Sequence, residues 1–167
     1  SAGGLIYAFG GTGPLSNNEA YDPGTASSFT ALTPNTLYSF RAKARNLHGV
    51  ETAETTAVST YTLAFATLPA AGTALFSSVN PSSITLNWST GTASGGYNGP
   101  GASYLVQAST MANFIPVIGS SSTGNSSATV LNLLPNATHY FRLRAYNSVN
   151  VPNDWFVLGS TVTAVET

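Results

Sequence analysis

Hydrophobic and polar residues alternate with a period of two along most of this chain. In the stretch 38–45 the even positions are Tyr38, Phe40 and two alanines, whereas the odd positions are Ser39 and basic residues. Such alternation indicates a strand with one buried face and one solvated face. No stretch of about ten or more residues combines a helical hydrophobic period with a capping residue. We therefore predict an all-β protein.

A stretch of this kind occurs twice, at residues 32–46 and again at residues 133–147. In the second copy the alternation turns His139, Phe141 and Leu143 towards the core. The outward positions of that copy are Tyr140, Arg142, Arg144 and Tyr146. We expect the outward row of each copy to be a solvated face with cross-strand cation–π pairs, the alternative being an interface with the acids of a neighbouring copy.

Further short strands are separated by clusters of Gly, Pro, Asn and Ser, which is typical of a two-sheet sandwich. The predicted strands are 5–9, one near Tyr21, 27–31, 56–61, 73–79, 83–88, 104–108, 115–118, 127–131 and 157–163. The connector 62–72 is short and contains Pro69. Its Leu63 and Phe65 are expected to pack at a domain junction, which predicts a semi-rigid tandem.

Composition narrows the partners that this chain can have. Charged residues make up 7% of the 167 residues, against about 25% in ordinary soluble domains. The net charge of −1 gives no footprint for nucleic acid, and no apolar run is long enough for membrane insertion. A neutral surface rich in hydroxyl and amide groups suits an extracellular or cell-surface protein that packs against copies of itself. Because the chain opens at Ser1 without Met, we expect a processed product or a fragment.

Candidate chemistry is scarce in the sequence. There is no cysteine, so disulfides and thiolate metal sites are excluded. His48 and His139 have no partner at metal-binding spacing, and the six acids do not form a recognisable catalytic pair across a cleft. We expect no enzymatic activity, no cofactor and no metal.

The repeated stretch resembles the sixth strand of fibronectin type III domains. The matching residues of the first copy are Leu32, Pro34, Thr36, Tyr38, Phe40, Arg41, Ala44 and Asn46, and those of the second are Leu133, Pro135, Phe141, Arg142, Ala145 and Asn147. The run from Pro81 to Trp88 resembles the second strand of the family, in which a Trp fills the core, and Tyr104 opens a counterpart of the third. The sequence as a whole is more similar in style to secreted bacterial repeats of this family than to animal ones.

This resemblance implies tandem immunoglobulin-like sandwiches. Residues 73–167 resemble a complete domain, and residues 64–72 resemble a short linker. Residues 1–63 resemble an incomplete repeat that has only the third to seventh strands of the family, named C to G. The family's corner tyrosine corresponds to Tyr38 in the first copy and to His139 in the second, unless Tyr140 takes the role after a register shift.

The first repeat lacks counterparts of its first two strands and of the core Trp. Loss of one buried Trp costs about 3–5 kcal/mol, a large share of the roughly 5–15 kcal/mol that stabilises a whole domain. Either the chain belongs to a longer array or its early strands are divergent, or another subunit donates the strands. In the last case Leu5, Tyr7, Phe9 and Phe40 are the candidate acceptor residues, and head-to-tail repetition gives a filament.

The function expected from these features is that of a structural or adhesive module whose partners are other copies of itself or neighbouring repeats. The alternative is a spacer or carbohydrate-binding module of a secreted polysaccharide-degrading enzyme. Aromatic residues in loops are the candidate contacts for a partner or a polysaccharide. They are Trp155, Phe156, Tyr97 and Tyr21.

Overall fold

The computed structural model of the chain describes residues 29–45, 48–92 and 96–166, and every regular element in these ranges is a β-strand. The strands predicted at 5–9 and near Tyr21 lie outside the described residues. The strands are β1 (Leu37–Phe40), β2 (Val58–Tyr61), β3 (Phe76–Val79), β4 (Ser83–Asn87), β5 (Gly91–Thr92), β6 (Gly96–Tyr97), β7 (Ser103–Ser109), β8 (Gly119–Thr123), β9 (Ser127–Leu131), β10 (Thr138–Tyr146) and β11 (Phe156–Val162). The all-β prediction is confirmed.

The chain divides into two compact units. The first, which we call the hairpin unit, comprises Ser1–Ala31 and Leu37–Thr60, and the second, the sandwich unit, comprises Leu32–Thr36 and Tyr61–Thr167. The sandwich unit therefore includes a five-residue segment from the first copy of the repeated stretch. The division into 1–63, 64–72 and 73–167 stays a prediction from sequence.

Two antiparallel sheets build the sandwich unit. One has the order β11-β10-β7-β8, and the other has the order β3-β4-β9. The short strands β5 and β6 pair separately. The immunoglobulin-like sandwich expected from the sequence is confirmed by this two-sheet architecture.

The period-two alternation places one row of each central strand in the core. The apolar residues with no exposed surface are Ile84, Leu86, Val106, Ala108, Val130, Phe141, Leu143 and Ala145. Trp88 packs among them, with its ring centroid 5.4 Å from that of Tyr104. Burial of each large apolar side chain contributes about 1.5–3 kcal/mol, so this shared core is the main source of stability in the unit.

The connector enters the sandwich core with the face that carries Ala64 and Ala66. Ala64 and Ala66 are buried, whereas Leu63 and Phe65 are 51% and 43% exposed. The register is set by hydrogen bonds to the backbone of Phe65, whose N–H donates to Asn98 Oδ1 at 2.8 Å and whose carbonyl accepts from Asn98 Nδ2 at 2.7 Å. Ala64 and Ala66 are therefore the residues that the connector contributes to the sandwich core, and packing of Leu63 and Phe65 at a domain junction stays a prediction.

The strand predicted at 115–118 was wrong. The fourth strand of the larger sheet is β8, which pairs with β7 through residues such as Ser120 and Gln107. Pro116 cannot donate a ladder hydrogen bond, and its carbonyl instead accepts from the Ser109 hydroxyl at 2.7 Å. The Ile118 N–H donates to the Ala108 carbonyl at 2.9 Å, and the regular strand starts at Gly119. It is a run of hydroxyl side chains without the apolar alternation that marks other strands.

The hairpin unit has little core among its described residues. Strands β1 and β2 pair with each other, and the hydroxyls of Ser39 and Ser59 lie 2.7 Å apart across the pair. The Phe29 and Phe40 rings have their centroids 5.0 Å apart. Within 29–31, 37–45 and 48–60 only Ala44 is buried.

Replacement of Gly119 by alanine is expected to destabilise the sandwich unit. A Cβ at this position would lie 2.8 Å from Cγ1 of Val130, which is fully buried and cannot move without disturbing the core. Overpacking of this kind costs about 1–3 kcal/mol. Chemical denaturation followed by tryptophan fluorescence measures the change, because both tryptophans, Trp88 and Trp155, lie in this unit.

Gly124→Ala is the matched control, since the nearest atom to its added Cβ is the Ala102 carbonyl oxygen at 3.8 Å. We expect this variant to be neutral or slightly more stable through the entropy of the unfolded chain. Equal losses in the two variants would contradict the argument from close sheet contact.

Candidate functional site

The segment Leu32–Thr36 forms a corner whose buried centre is Asn35. The backbone of Asn35 is left-handed, with a φ of 47°, a conformation that asparagine adopts more readily than most residues. The side chain is only 2% exposed. We call this segment, together with Thr62, the Asn35 corner.

Both nitrogen and oxygen of the Asn35 amide have hydrogen-bond partners. Its Nδ2 donates to the carbonyl oxygens of Gly99 at 2.8 Å and Pro100 at 2.9 Å. Its Oδ1 accepts from the N–H of Ser148 at 2.7 Å and lies 3.0 Å from the Ser148 hydroxyl, whose one proton is shared with the Pro100 carbonyl at 2.9 Å. Both donors and the acceptor of this side chain are therefore used, so the burial of a polar group is compensated.

The backbone around Asn35 makes a close approach to the same loop. Gly99 donates its N–H to the Pro34 carbonyl at 3.1 Å. A Cβ on Gly99 would lie 2.6 Å from the Asn35 carbonyl oxygen, so only glycine allows this approach without displacement of the backbone. The loop 98–101 is thus shaped to hold the corner.

Thr62 ties the corner to the start of the connector. Its hydroxyl accepts from the Thr36 N–H at 3.0 Å and donates to the Thr33 carbonyl at 2.7 Å. Its N–H donates to the Thr36 carbonyl at 3.1 Å, and the Asn35 N–H donates to the Leu63 carbonyl at 3.2 Å. The corner is therefore fixed on one side by the connector and on the other by the loops of the sandwich.

The second copy of the repeated stretch builds the same corner, with every partner 101 positions later in the chain. The Thr163 hydroxyl accepts from the Ala137 N–H at 3.1 Å and donates to the Leu134 carbonyl at 2.6 Å. The Thr163 N–H donates to the Ala137 carbonyl at 3.1 Å, and the Asn136 N–H donates to the Ala164 carbonyl at 3.1 Å. The φ of Asn136 is 50°. We call residues 133–137 with Thr163 the Asn136 corner.

The two corners differ in the surroundings of their asparagine side chains. Asn35 is buried and fully bonded, whereas Asn136 is exposed, and within the described ranges no hydrogen bond reaches its amide. Sequence reasoning missed both asparagines as candidate site residues. The signal was present, because the Pro-Asn pair is one of the few features that both copies share outside the strand itself.

His139 lies at the inward position that the alternation predicts and has no exposed surface. Its Nδ1 donates to the Ala137 carbonyl at 2.9 Å. In the part of the chain that the structure describes, its Nε2 has no hydrogen-bond partner. Burial lowers the pKa of His139 below its usual value, although the hydrogen bond to Ala137 acts in the opposite direction.

The outward face of β10 carries a cluster of cations and aromatic rings. The guanidinium carbons of Arg142 and Arg144 lie 4.2 Å and 4.0 Å from the Trp155 ring centroid, and that of Arg142 also lies 4.5 Å from the Phe114 ring. Gln107 fixes Arg142, since its Oε1 accepts from Nε at 3.0 Å and from Nη2 at 2.7 Å. Cation–π pairs are thus present on this face, but they are not the cross-strand pairs expected from the sequence, because Trp155 and Phe114 lie outside the strands.

The other predicted site residues belong to different strands of the two units. Phe156 is half-buried and packs against the core, and Tyr97 in β6 is 60% exposed. Tyr38 and Phe40 are half-buried in β1. The remaining candidates, Leu5, Tyr7, Phe9 and Tyr21, lie outside the described residues.

The described ranges contain no group of three or more His, Asp or Glu side chains able to hold a metal ion. Glu51 and Glu54 form ion pairs with Lys43 and Arg41 on the exposed face of the hairpin unit. Across residues 29–45, 48–92 and 96–166, no helix has the length and apolarity needed to cross a membrane.

Residues 69–153 match the family model of the fibronectin type III domain. A search of curated proteins found no match. Many solved structures resemble the chain. Chicken CNTN1, in a structure of its FN1–FN3 domains, is 17% identical and aligns with 83% of this chain and 46% of that one, at a TM-score of 0.40.

The extracellular region of rat CD45, domains d3–d4, is 16% identical over 96% of this chain and 82% of that one, at a TM-score of 0.47. The fibronectin type III domain of human fibronectin type III domain containing protein 3 is 17% identical over 58% and 94%, at a TM-score of 0.43. This chain thus spans less than half of the chicken structure.

The two asparagines provide a matched pair of variants. Asn35→Ala and Asn136→Ala each force alanine into a left-handed backbone, at a cost of about 1–2 kcal/mol. Only Asn35→Ala also removes the hydrogen bonds that a side chain with 2% exposure makes to Gly99, Pro100 and Ser148, which costs roughly 1–3 kcal/mol more. We therefore expect the loss of unfolding free energy to be larger for Asn35→Ala by that amount. Equal losses in denaturant titrations followed by tryptophan fluorescence would contradict the role of the Asn35 amide.

The stability of the sandwich unit is expected to fall as the pH drops from 7 to about 5. Because the folded-state pKa of His139 lies below the unfolded value of about 6.5, the unfolded chain binds the proton first. Neutral His139 contributes its full share of the unfolding free energy above about pH 6.5. This share is lost as the pH falls below that value, with a slope of at most about 1.4 kcal/mol per pH unit. Denaturant titrations at several pH values measure this slope.

His139→Gln and His139→Tyr are the controls, because neither side chain gains a proton in this pH range. Both variants are expected to show a flat profile between pH 5 and 7. If the wild-type slope persisted in them, another group would be responsible for it.

Proposed function

Because the chain belongs to the fibronectin type III family, we propose that it is a non-enzymatic structural or adhesive module of a secreted or cell-surface protein. Domains of this family are generally non-catalytic modules. We further propose that copies of the chain assemble into an extracellular filament, in which a neighbour supplies the strands missing from the first repeat.

One observation carries the assembly proposal, and it is the exposure of the hairpin unit. Leu37 in β1 and Val58 in β2 are 52% and 68% exposed, and Ala44 is the sole buried residue in the described part of this unit. An isolated two-stranded hairpin is at best marginally stable in water. A further strand beside β1 or β2 satisfies backbone groups and covers apolar side chains, as in other cases of strand addition.

The edges of the sandwich unit also favour association between chains. Its larger sheet ends in β8 and β11, and neither strand contains a charged residue or a proline. Natural proteins usually protect exposed edge strands with charges or prolines. Unprotected edges, together with a charged fraction of only 7%, are compatible with a chain that packs beside its own copies.

Light scattering over a dilution series, combined with electron microscopy of the same samples, tests the assembly. We expect large oligomers or filaments that dissociate on dilution. Phe40→Asp is expected to abolish them, because this half-buried ring is a candidate contact for the donated strand. Addition of the strand would remove water from the carboxylate introduced at that position, and burial of an unpaired charge is strongly unfavourable.

Ile115→Asp is the matched control, since Ile115 is 71% exposed in a loop of the sandwich unit, and this variant is expected to assemble normally. Both variants are checked for unchanged unfolding of the sandwich by tryptophan fluorescence. A species of 17.1 kDa at every concentration, in the unmodified chain, would contradict the proposed assembly.

The alternative is a spacer or carbohydrate-binding accessory module of a secreted polysaccharide-degrading enzyme. It is favoured by Tyr97, whose ring is 60% exposed and available for stacking on a sugar. The Trp155 ring, in contrast, is already in contact with the guanidinium groups of Arg142 and Arg144. The monomeric outcome of the scattering experiment would favour this alternative.

A further inference from the structure

We propose that the Asn136 corner is a docking surface for a further fibronectin type III repeat. The loops of that repeat would hold the Asn136 amide as Gly99, Pro100 and Ser148 hold the amide of Asn35. The inference goes beyond the filament proposal and does not depend on strand donation to the hairpin unit.

The two corners are equivalent except in what covers them. Their backbone hydrogen bonds, their threonine and their left-handed asparagine correspond one to one. The left-handed turn alone explains why asparagine is favoured at both positions. At Asn35 the same turn presents the amide to two carbonyls and one serine, so the corner is already a working docking element in this chain.

The residues that follow the two corners differ in their exposure. After Thr62, the side chain of Ala64 enters the core of the sandwich and is 2% exposed. The residue 101 positions later is Val165, which is apolar and 58% exposed. Leu134, inside the Asn136 corner, is 57% exposed. The polar anchor and the apolar side chains beside it thus form one surface that no described residue covers.

The occupant must be a repeat whose own docking position is empty. In a folded copy of this chain, Gly99, Pro100 and Ser148 are already bound to Asn35. A second copy therefore offers no vacant position to Asn136 as long as its own corner stays in place. A further repeat that follows Thr163 in the same register, as the sandwich unit follows Thr62, meets the requirement.

The experiment extends the full chain by one repeat in the observed register. Residues 1–163 are followed directly by a second copy of residues 63–167, so that Leu63 of the added copy follows Thr163 as it follows Thr62. Asn136→Ala and Asn35→Ala are each introduced into the natural chain and into the extended chain. The measurements are thermal unfolding and the hydrogen-exchange rate of the Asn136 side-chain amide by NMR.

We expect Asn136→Ala to lower the melting temperature of the added sandwich about as much as Asn35→Ala lowers that of the sandwich unit. In the natural chain its effect is expected to be the smaller one of the left-handed alanine alone. The Asn136 side-chain amide is expected to exchange at least about tenfold more slowly in the extended chain than in the natural chain, because burial and hydrogen bonding protect it.

A spacer control keeps the test decisive if the direct junction fails to fold. A spacer of four residues, Gly-Ser-Gly-Ser, between Thr163 and the added Leu63 lets the added sandwich fold without docking on the Asn136 corner. Folding only with the spacer, or an Asn136→Ala effect that is the same in all three chains, would overturn the proposal. Failure of filament assembly in the earlier experiment leaves this result unaffected, since no second chain takes part.

Discussion

The fully paired amide of Asn35 is the constraint on which the arrangement of the sandwich unit depends. It lies where three segments meet, namely the corner at 32–36, the loop at 98–101 and the turn after β10. A buried amide that lacked even one of these partners would cost about 1–3 kcal/mol. The three segments must therefore occupy their positions together. The closest approach is at Gly99 of the loop, where the Asn35 carbonyl oxygen leaves no room for a side chain.

Much of the fold was predictable from the alternation of hydrophobic and polar residues. It marks β4, β9 and β10 because each has one face in a common core, and it correctly turns His139 inward. It fails where apolarity does not decide burial. In the connector, Asn98 fixes the register through the backbone of Phe65, and the small Ala64 is buried in preference to the larger Leu63. In β8 the side chains are hydroxyls, so the pattern contains no signal at all.

The candidate site was harder to find for a different reason. Asn35 is 64 and 113 positions away from two of the residues that bind it, and a Pro-Asn pair at a turn is a common local feature. Nothing in the local pattern distinguishes an asparagine that only shapes a turn from one that also fills a polar site. The comparison of Asn35 with Asn136 makes this distinction, because the chain contains both cases in the same backbone.

The corner also has a mechanical consequence. Thr33, Asn35 and Thr36 are bonded to Thr62 and Leu63, and the residues between Thr36 and Tyr61 leave the sandwich unit and return to it. Tension applied between Leu32 and the sandwich strands therefore passes across these hydrogen bonds, and residues 37–60 are not stretched while the bonds hold. Once they rupture, the hairpin residues become part of the stretched path and add contour length. Residues 37–60 thus lengthen the chain under tension only after the hydrogen bonds of the Asn35 corner have broken.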